Sequence, residues 1–310
     1  MYKTPILFII FNRPETTKRV FEAICQAQPK QLFIAADGPR LDKDGEKQLC
    51  ESAREIVSHV DWDCEVKTLF REKNLGCKIG VSSAINWFFE NVEQGIILED
   101  DCLPNQSFFS FCEQMLEMYK DDNRIMHISG DNFQFGKQRG EGDYYFSKMN
   151  HIWGWATWKR AWKYYDLEMP SLEQFIKNNY IEDVFSNKKI AKDWINIFIK
   201  TQNNEINTWD AQWAYTMWSQ NGLAILPNKN LVKNIGFGND ATHTKTSNIL
   251  LEKNESESLV IKKHPSVVIR DYDADIFFHQ VIRVSIIKRI YNKILSIILI
   301  KNFLVYYLKM

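Results

Sequence analysis

Gly95-Ile96-Ile97-Leu98-Glu99-Asp100-Asp101-Cys102-Leu103-Pro104 is the stretch on which the reading of this chain turns. Its apolar run has no polar interruption, as in a strand covered on both faces. The run then ends abruptly in three consecutive acids. Carboxylates at the end of a buried strand are costly unless something cationic meets them. Acids that merely cap a following helix would also be favourable there. The apolar run before this triplet and the Cys-Leu-Pro after it set it apart from an ordinary surface cluster.

Working outward, the first half of the chain alternates between the two hydrophobic periods. Residues 6–11 form a second uninterrupted apolar run, and Pro14 opens a helix with Val20, Phe21 and Ile24 on one side. The pattern predicts a strand over 31–36, broken by Asp37-Gly38-Pro39-Arg40, and a helix over about 43–59. A strand over 65–70, a helix over 80–91, the strand 95–98, a helix over 105–119 and a strand over 124–129 follow. This is an α/β chain with a mostly parallel sheet and helices on both faces. Such sheets bind ligands at the carboxyl ends of their strands. Polar residues gather there: Asn12-Arg13, Asp37 and Glu99 to Asp101. Beyond about residue 146 the pattern becomes aromatic-rich helices with one short strand near 223–226, and 245–263 reads as a polar loop.

Lys and Arg number 39 against 39 Asp and Glu, a formal balance of zero that carries no footprint of a nucleic-acid partner. None of the six cysteines is spaced C-x-x-C, which argues against zinc and for reduced thiols in a cytosolic setting. The opening apolar run stops at Asn12-Arg13-Pro14 with no small-residue cleavage site, so it is expected to be a first strand rather than a signal peptide. From residue 281 the chain carries six Lys or Arg and no acid. Its apolar runs fall short of the ~20 residues that span a bilayer. A basic apolar helix of this kind is expected to lie on an anionic membrane surface, the alternative being a helix docked on the core.

The acidic triplet carries the chemistry. Oxygen ligands select a hard cation, Mg²⁺ or Mn²⁺, and a metal bearing a diphosphate is the natural partner for these acids. Ile-Ile-Leu-Glu-Asp-Asp, followed by a short loop and the pair Phe108-Phe109, resembles the GT-A fold glycosyltransferases. Within that fold it is most similar to the mannose-directed N-acetylglucosaminyltransferases and their bacterial relatives. The resemblance implies Asp101 on the metal, with Glu99 as a weaker ligand, and Asp100 beside the nucleotide. It implies Arg13, Asp37 and Lys78 (in Asn74-Leu75-Gly76-Cys77-Lys78) as further nucleotide-sugar contacts. His151-Ile152-Trp153-Gly154-Trp155 resembles acceptor-side segments, which points to Trp153 and Trp155. Thr208-Trp209-Asp210-Ala211-Gln212-Trp213 resembles the element that supplies the catalytic base, which assigns that role to Asp210 and an acceptor-side place to Trp209. His243 is a weaker metal candidate.

The resemblance covers most of residues 4–245. It implies a catalytic domain over 1–265, with a nucleotide-binding half to 130 and an acceptor-side half after it, and a basic amphipathic tail over 266–310. The expected activity is an inverting, metal-dependent transfer from a nucleoside-diphosphate sugar, UDP-linked by resemblance alone, to a glycan or lipid-linked acceptor at the inner membrane face. Two other readings stay open. A sugar nucleotidyltransferase usually has a glycine-rich basic loop after its first strand, where this chain has Asn12-Arg13-Pro14-Glu15. A non-catalytic, membrane-associated carbohydrate-binding protein would keep the tryptophans and the basic tail but need not keep the acids.

Overall fold

The computed structural model describes residues 1–237 and 249–281. Its ten strands are β1 Ile6–Ile10, β2 Gln31–Ala36, β3 Glu65–Phe70, β4 Gln94–Glu99, β5 Cys102–Pro104, β6 Ile125–Ser129, β7 Tyr144–Ser147, β8 Trp155–Trp158, β9 Leu223–Pro227 and β10 Val232–Asn234. The helices begin with α1 Pro14–Ala27, α2 Glu46–Ile56, α3 Gly76–Asn91, α4 Gln106–Met118 and α5 Lys159–Trp162. They continue with α6 Leu172–Lys177, α7 Tyr180–Val184, α8 Lys188–Gln202 and α9 Asp210–Ser219, and a short α10 is Ile249–Glu252.

Eight strands form one sheet in the order β3-β2-β1-β4-β8-β6-β9-β7, and β10 pairs with β5 in a small second sheet. The α/β class and mostly parallel sheet expected from the sequence are present. β1, β2, β3 and β4 are mutually parallel, and β6 and β9 are parallel to each other. β8 and β7 run against their neighbours. The continuous apolar runs are explained by covering on both faces. Ile6, Phe8, Ile34 and Leu98 belong to one core layer with Val20, Ile24 and Phe108 of α1 and α4. On the opposite face, Phe33 meets Trp87 and Phe88 of α3 edge-on at 5.3 and 5.0 Å. Gly95 permits that packing, because a Cβ there would run into the Phe88 ring.

Register brings the polar residues together. Ile9 is opposite Glu99 and Ile10 is opposite Ala36. Phe11, Asp37 and Asp100 therefore leave the sheet along one edge. Pro14 starts α1 immediately beyond, and Asn105 caps α4 by accepting the Ser107 N–H.

The chain divides into a unit Met1–Asp271 and a second unit from Tyr272 onward. Residues 272–281 of the second unit are helical, and the basic tail beyond 281 lies outside the described residues. No helix among the described residues is long and apolar enough to cross a membrane. The segment expected to be a polar loop has no regular structure over 253–263, but it is fastened: Asp143 accepts the N–H groups of Lys262 and Lys263 at 2.6 and 2.7 Å.

Candidate active site

A cavity of about 430 Å³ opens at the carboxyl ends of β1, β2 and β4. Arg13, Asp37, Glu99, Asp100, Asp101, Trp153, Trp209 and Asp210 all line it. Residues from five separate stretches thus meet at one place.

Arg13 follows β1 and turns across the acidic triplet. Its Nη1 donates to Asp101 Oδ2 at 2.8 Å and its Nη2 pairs with Asp100 Oδ1. Asp100 is buried and also accepts the Phe11 N–H at 3.0 Å, so it locks the end of β1 to the end of β4. Burial raises its proton affinity, and Arg13 opposes that rise. Glu99 differs, because it has no hydrogen bond among the described residues. Burial first, then Asp101 and Asp100, push its carboxyl up to about 8. The backbone at Gly236 closes over the Arg13–Asp101 pair, where a Cβ would lie 2.8 Å from Arg13 Nη1 and closer still to Asp101 Oδ2. That close approach requires glycine.

Asp37, after β2, is engaged by backbone. Its carboxylate accepts N–H groups from Gly38 at 3.0 Å, Leu75 at 2.9 Å and Gly76 at 3.1 Å. It therefore ties the end of β2 to the first turn of α3. Burial raises its proton affinity against those donors. Two arginines also line this end of the cavity, and the sequence pattern does not single either out. Arg71 donates to Ser83 Oγ at 2.8 Å, and Arg40 pairs with Glu46 while lying over the Phe11 ring.

The opposite wall comes from 207–210 and from the loop before β8. Asp210 opens α9. Its Oδ1 accepts the Thr208 hydroxyl and the Ala211 N–H, the latter at 3.0 Å. Its Oδ2 has no hydrogen bond among the described residues, which leaves it available to a ligand. Thr208 is a functional candidate that sequence reasoning misses, although a hydroxyl two residues before an acid is an available signal. Trp153 is held by its backbone N–H, which donates to the buried Asp131 at 2.8 Å, and its ring meets Phe237 edge-on at 5.7 Å. Trp209 borders the cavity but is itself buried, so it forms part of the floor.

Two expected residues do not line the cavity. Trp155 is fully buried, stacked between His127 at 5.0 Å and Trp209 at 5.5 Å, because β8 carries it into the sheet interior. Lys78 turns from the diphosphate side, and its Nζ donates to Asn204 Oδ1 at 2.9 Å. His243 lies outside the described residues.

Asp100 and Asp101 share one guanidinium, and Glu99 beside them has no hydrogen-bonding partner among the described residues, so these oxygen donors would suit a hard cation. No group of three or more His, Cys, Asp or Glu among the described residues is arranged to enclose an ion. A Mg²⁺ or Mn²⁺ ion on Asp101 and Glu99 would complete its coordination with diphosphate oxygens and water, the usual habit of Mg²⁺.

No protein-family model matches the chain, and no curated protein sequence matches it. Among solved structures, it is similar to a UDP-glucose pyrophosphorylase at 13% identity, covering 73% of this chain and 90% of that one with a TM-score of 0.34. The 4-diphosphocytidyl-2C-methyl-D-erythritol synthase of Anaerococcus prevotii is 7% identical over 72% of this chain and 88% of that one, with a TM-score of 0.35. The glycosyltransferase GlyE of Streptococcus pneumoniae is 9% identical over 72% of this chain and 45% of that one, with a TM-score of 0.34. Likenesses this slight carry no argument about activity, which must rest on the site.

Proposed function

We propose that this protein is a GT-A-type glycosyltransferase, related to the mannose-directed N-acetylglucosaminyltransferases, that inverts the anomeric carbon of a nucleoside-diphosphate sugar. UDP is the proposed nucleotide, and the acceptor is a hydroxyl on a glycan or lipid-linked saccharide. The observation that carries this reading is the free Oδ2 of Asp210 across the cavity from the acidic triplet. Inversion needs one carboxylate beside the attacking hydroxyl and charge stabilisation at the leaving diphosphate. The two walls offer one each.

In this mechanism Asp210 Oδ2 takes the proton of the acceptor hydroxyl as that oxygen bonds to the anomeric carbon. The bond from that carbon to the diphosphate oxygen breaks, and its electron pair leaves with the diphosphate. Thr208 keeps Oδ1 occupied, so Oδ2 is the oxygen that works. Arg13, between Asp100 and Asp101, brings a cation to the diphosphate end. A divalent ion held by Asp101 and Glu99 would neutralise the leaving group. Trp153 offers a ring face to sugar C–H surfaces, over the floor to which Trp209 contributes. The basic segment 281–310 is proposed to hold the enzyme to the anionic, cytoplasmic face of a membrane, where a lipid-linked acceptor sits.

A nucleotidyltransferase would use a similar sheet. Arg13 and Pro14, with α1 starting at once, occupy the place of a glycine-rich phosphate loop, which favours transfer to an acceptor. A panel of UDP-sugars with Mn²⁺ tests the assignment through UDP release, run beside UTP plus sugar 1-phosphates assayed for pyrophosphate. UDP release supports it. Pyrophosphate formation replaces it with nucleotidyl transfer, and binding of UDP without turnover in either assay leaves a binding protein.

A further inference from the structure

Lys78 has an environment that its place near the cavity does not explain. It lies in the first turn of α3 and is only 7% exposed. Its Nζ donates to Asn204 Oδ1 at 2.9 Å, and its backbone N–H donates to Asn207 Oδ1 at 3.0 Å. Among the described residues it has no carboxylate within ion-pair distance. Burying an ammonium group against a neutral amide is unfavourable compared with burying an apolar side chain of the same length. What the ammonium adds is a directed bond to one loop.

That loop leads to the acceptor wall. It leaves α8 through a turn in which Asn204 has φ +61°, with its N–H bonded to Thr201 O at 3.1 Å. It then passes Asn207 and Thr208 and reaches Asp210, whose Oδ1 the Thr208 hydroxyl holds. Lys78 therefore grips both ends of the 204–207 span. The same helical turn is fixed on its other side by Asp37, which accepts the Leu75 and Gly76 N–H groups.

We propose that Lys78 is a positioning residue, fastening the 204–209 loop to α3 and so setting where the Asp210 carboxylate points, without touching the donor diphosphate. The proposal rests on Asp210 being the base. Displacing a reacting group by about 1 Å costs on the order of 10²-fold in rate. The loop has no regular secondary structure over 203–209; besides Lys78, the Glu205 N–H bonds Lys200 O at 2.8 Å at its start and Tyr165 Oη donates to Trp209 O at 3.0 Å at its end, so Lys78 holds the span between them.

The test is a double-mutant cycle on the full chain with Lys78→Met and Asn204→Gly. Glycine suits the positive φ at 204, so that variant deletes the acceptor without straining the turn. Rates are read as UDP release from the UDP-sugar that the panel identifies, binding as calorimetric titration with UDP and Mn²⁺, and loop order as amide exchange over 205–209. Each single variant should lower kcat by roughly 10²-fold, leave UDP affinity unchanged and speed exchange in the loop. The double variant should be no worse than either single one. Weakened UDP binding in Lys78→Met but not in Asn204→Gly would overturn the proposal and return Lys78 to the diphosphate. Unchanged kcat in Asn204→Gly would also overturn it, and that variant decides the matter if Lys78→Met fails to fold. An inactive Asp210→Asn beside unimpaired tether variants removes the tether alone; an active Asp210→Asn removes the base assignment and the tether with it.

Discussion

The two halves of the sheet solve different problems. In β3-β2-β1-β4, parallel strands end together, and two of the acids at their ends are closely partnered: Asp37 by three backbone N–H groups, Asp100 by Arg13 and Phe11. In β8-β6-β9-β7, the parallel pair β6 and β9 is flanked by strands that run against it, and the surroundings are aromatic. Trp155 lies among His127, Trp162, Trp209 and Trp213. There, buried polar atoms are left without a partner among the described residues: Asp131 Oδ1, Trp155 Nε1 and both amide atoms of Gln212. The first half orders its rim through hydrogen bonds to Asp37 and Asp100, while the second surrounds Trp155 with aromatic bulk.

The largest expected effect follows from changing a rim residue with little change in bulk. Asp210→Asn should lower turnover by ~10²–10⁴-fold, the usual contribution of a general base, while UDP binding and the thermal midpoint stay near wild type. Steady-state rates and a melting curve check it. A large fall in the midpoint would show that Asp210 belongs with the aromatic half instead.

Trp155→Ala should do the opposite. It empties a fully buried position and should destabilise the fold by about 3–5 kcal/mol in denaturant unfolding. UDP affinity, measured where the variant is still folded, should change little, because Trp155 does not line the cavity. A selective loss of affinity would break the division between the halves.

The remaining effects are in pH. Glu99 is raised from its ordinary 4.5 to about 8, so the stability it contributes is full below 4.5 and is lost as pH rises through about 8. His127 is lowered from 6.5 to about 3 by burial, opposed by its bond to His151 O, so its contribution is full above 6.5 and is lost as pH falls through about 3. Metal-free melting curves should therefore decline on both sides. Glu99→Gln should flatten the alkaline limb, and His127→Gln the acid limb. A flattened acid limb in Glu99→Gln would place the wrong group in each region.

The same contrast decides what is legible in the sequence. β2 and β3 have the bounds that the sequence pattern predicts: β2 is a buried apolar run ended by the turn residues Asp37-Gly38, while β3, at the sheet edge, alternates half-buried with exposed residues over its second half. α3 starts four residues before the predicted 80, since its first turn is held by Asp37 from across the sheet rather than by a local cap. The pattern does not reveal β5, β7, β8 and β10; each has three or four residues and no room to establish a period. The cavity gathers the acids, Arg13 and Asp210, whose residue types and neighbours carry a local pattern. Trp155 and Lys78 look equally suitable in the sequence. Their true surroundings are set by residues far along the chain, His127 and Trp209 in one case and Asn204 in the other.

The position of β8 has a consequence for how the chain is made. β4 is an interior strand in the finished sheet, yet its outer neighbour is β8. About 55 residues separate them, and at ~5–20 residues per second a ribosome needs several seconds to supply the partner. Throughout that interval the parallel block carries a bare apolar edge at Ile96 and Ile97. Synthesis speed between those two strands, and any chaperone that shields the edge meanwhile, would govern how much of this protein reaches its native state.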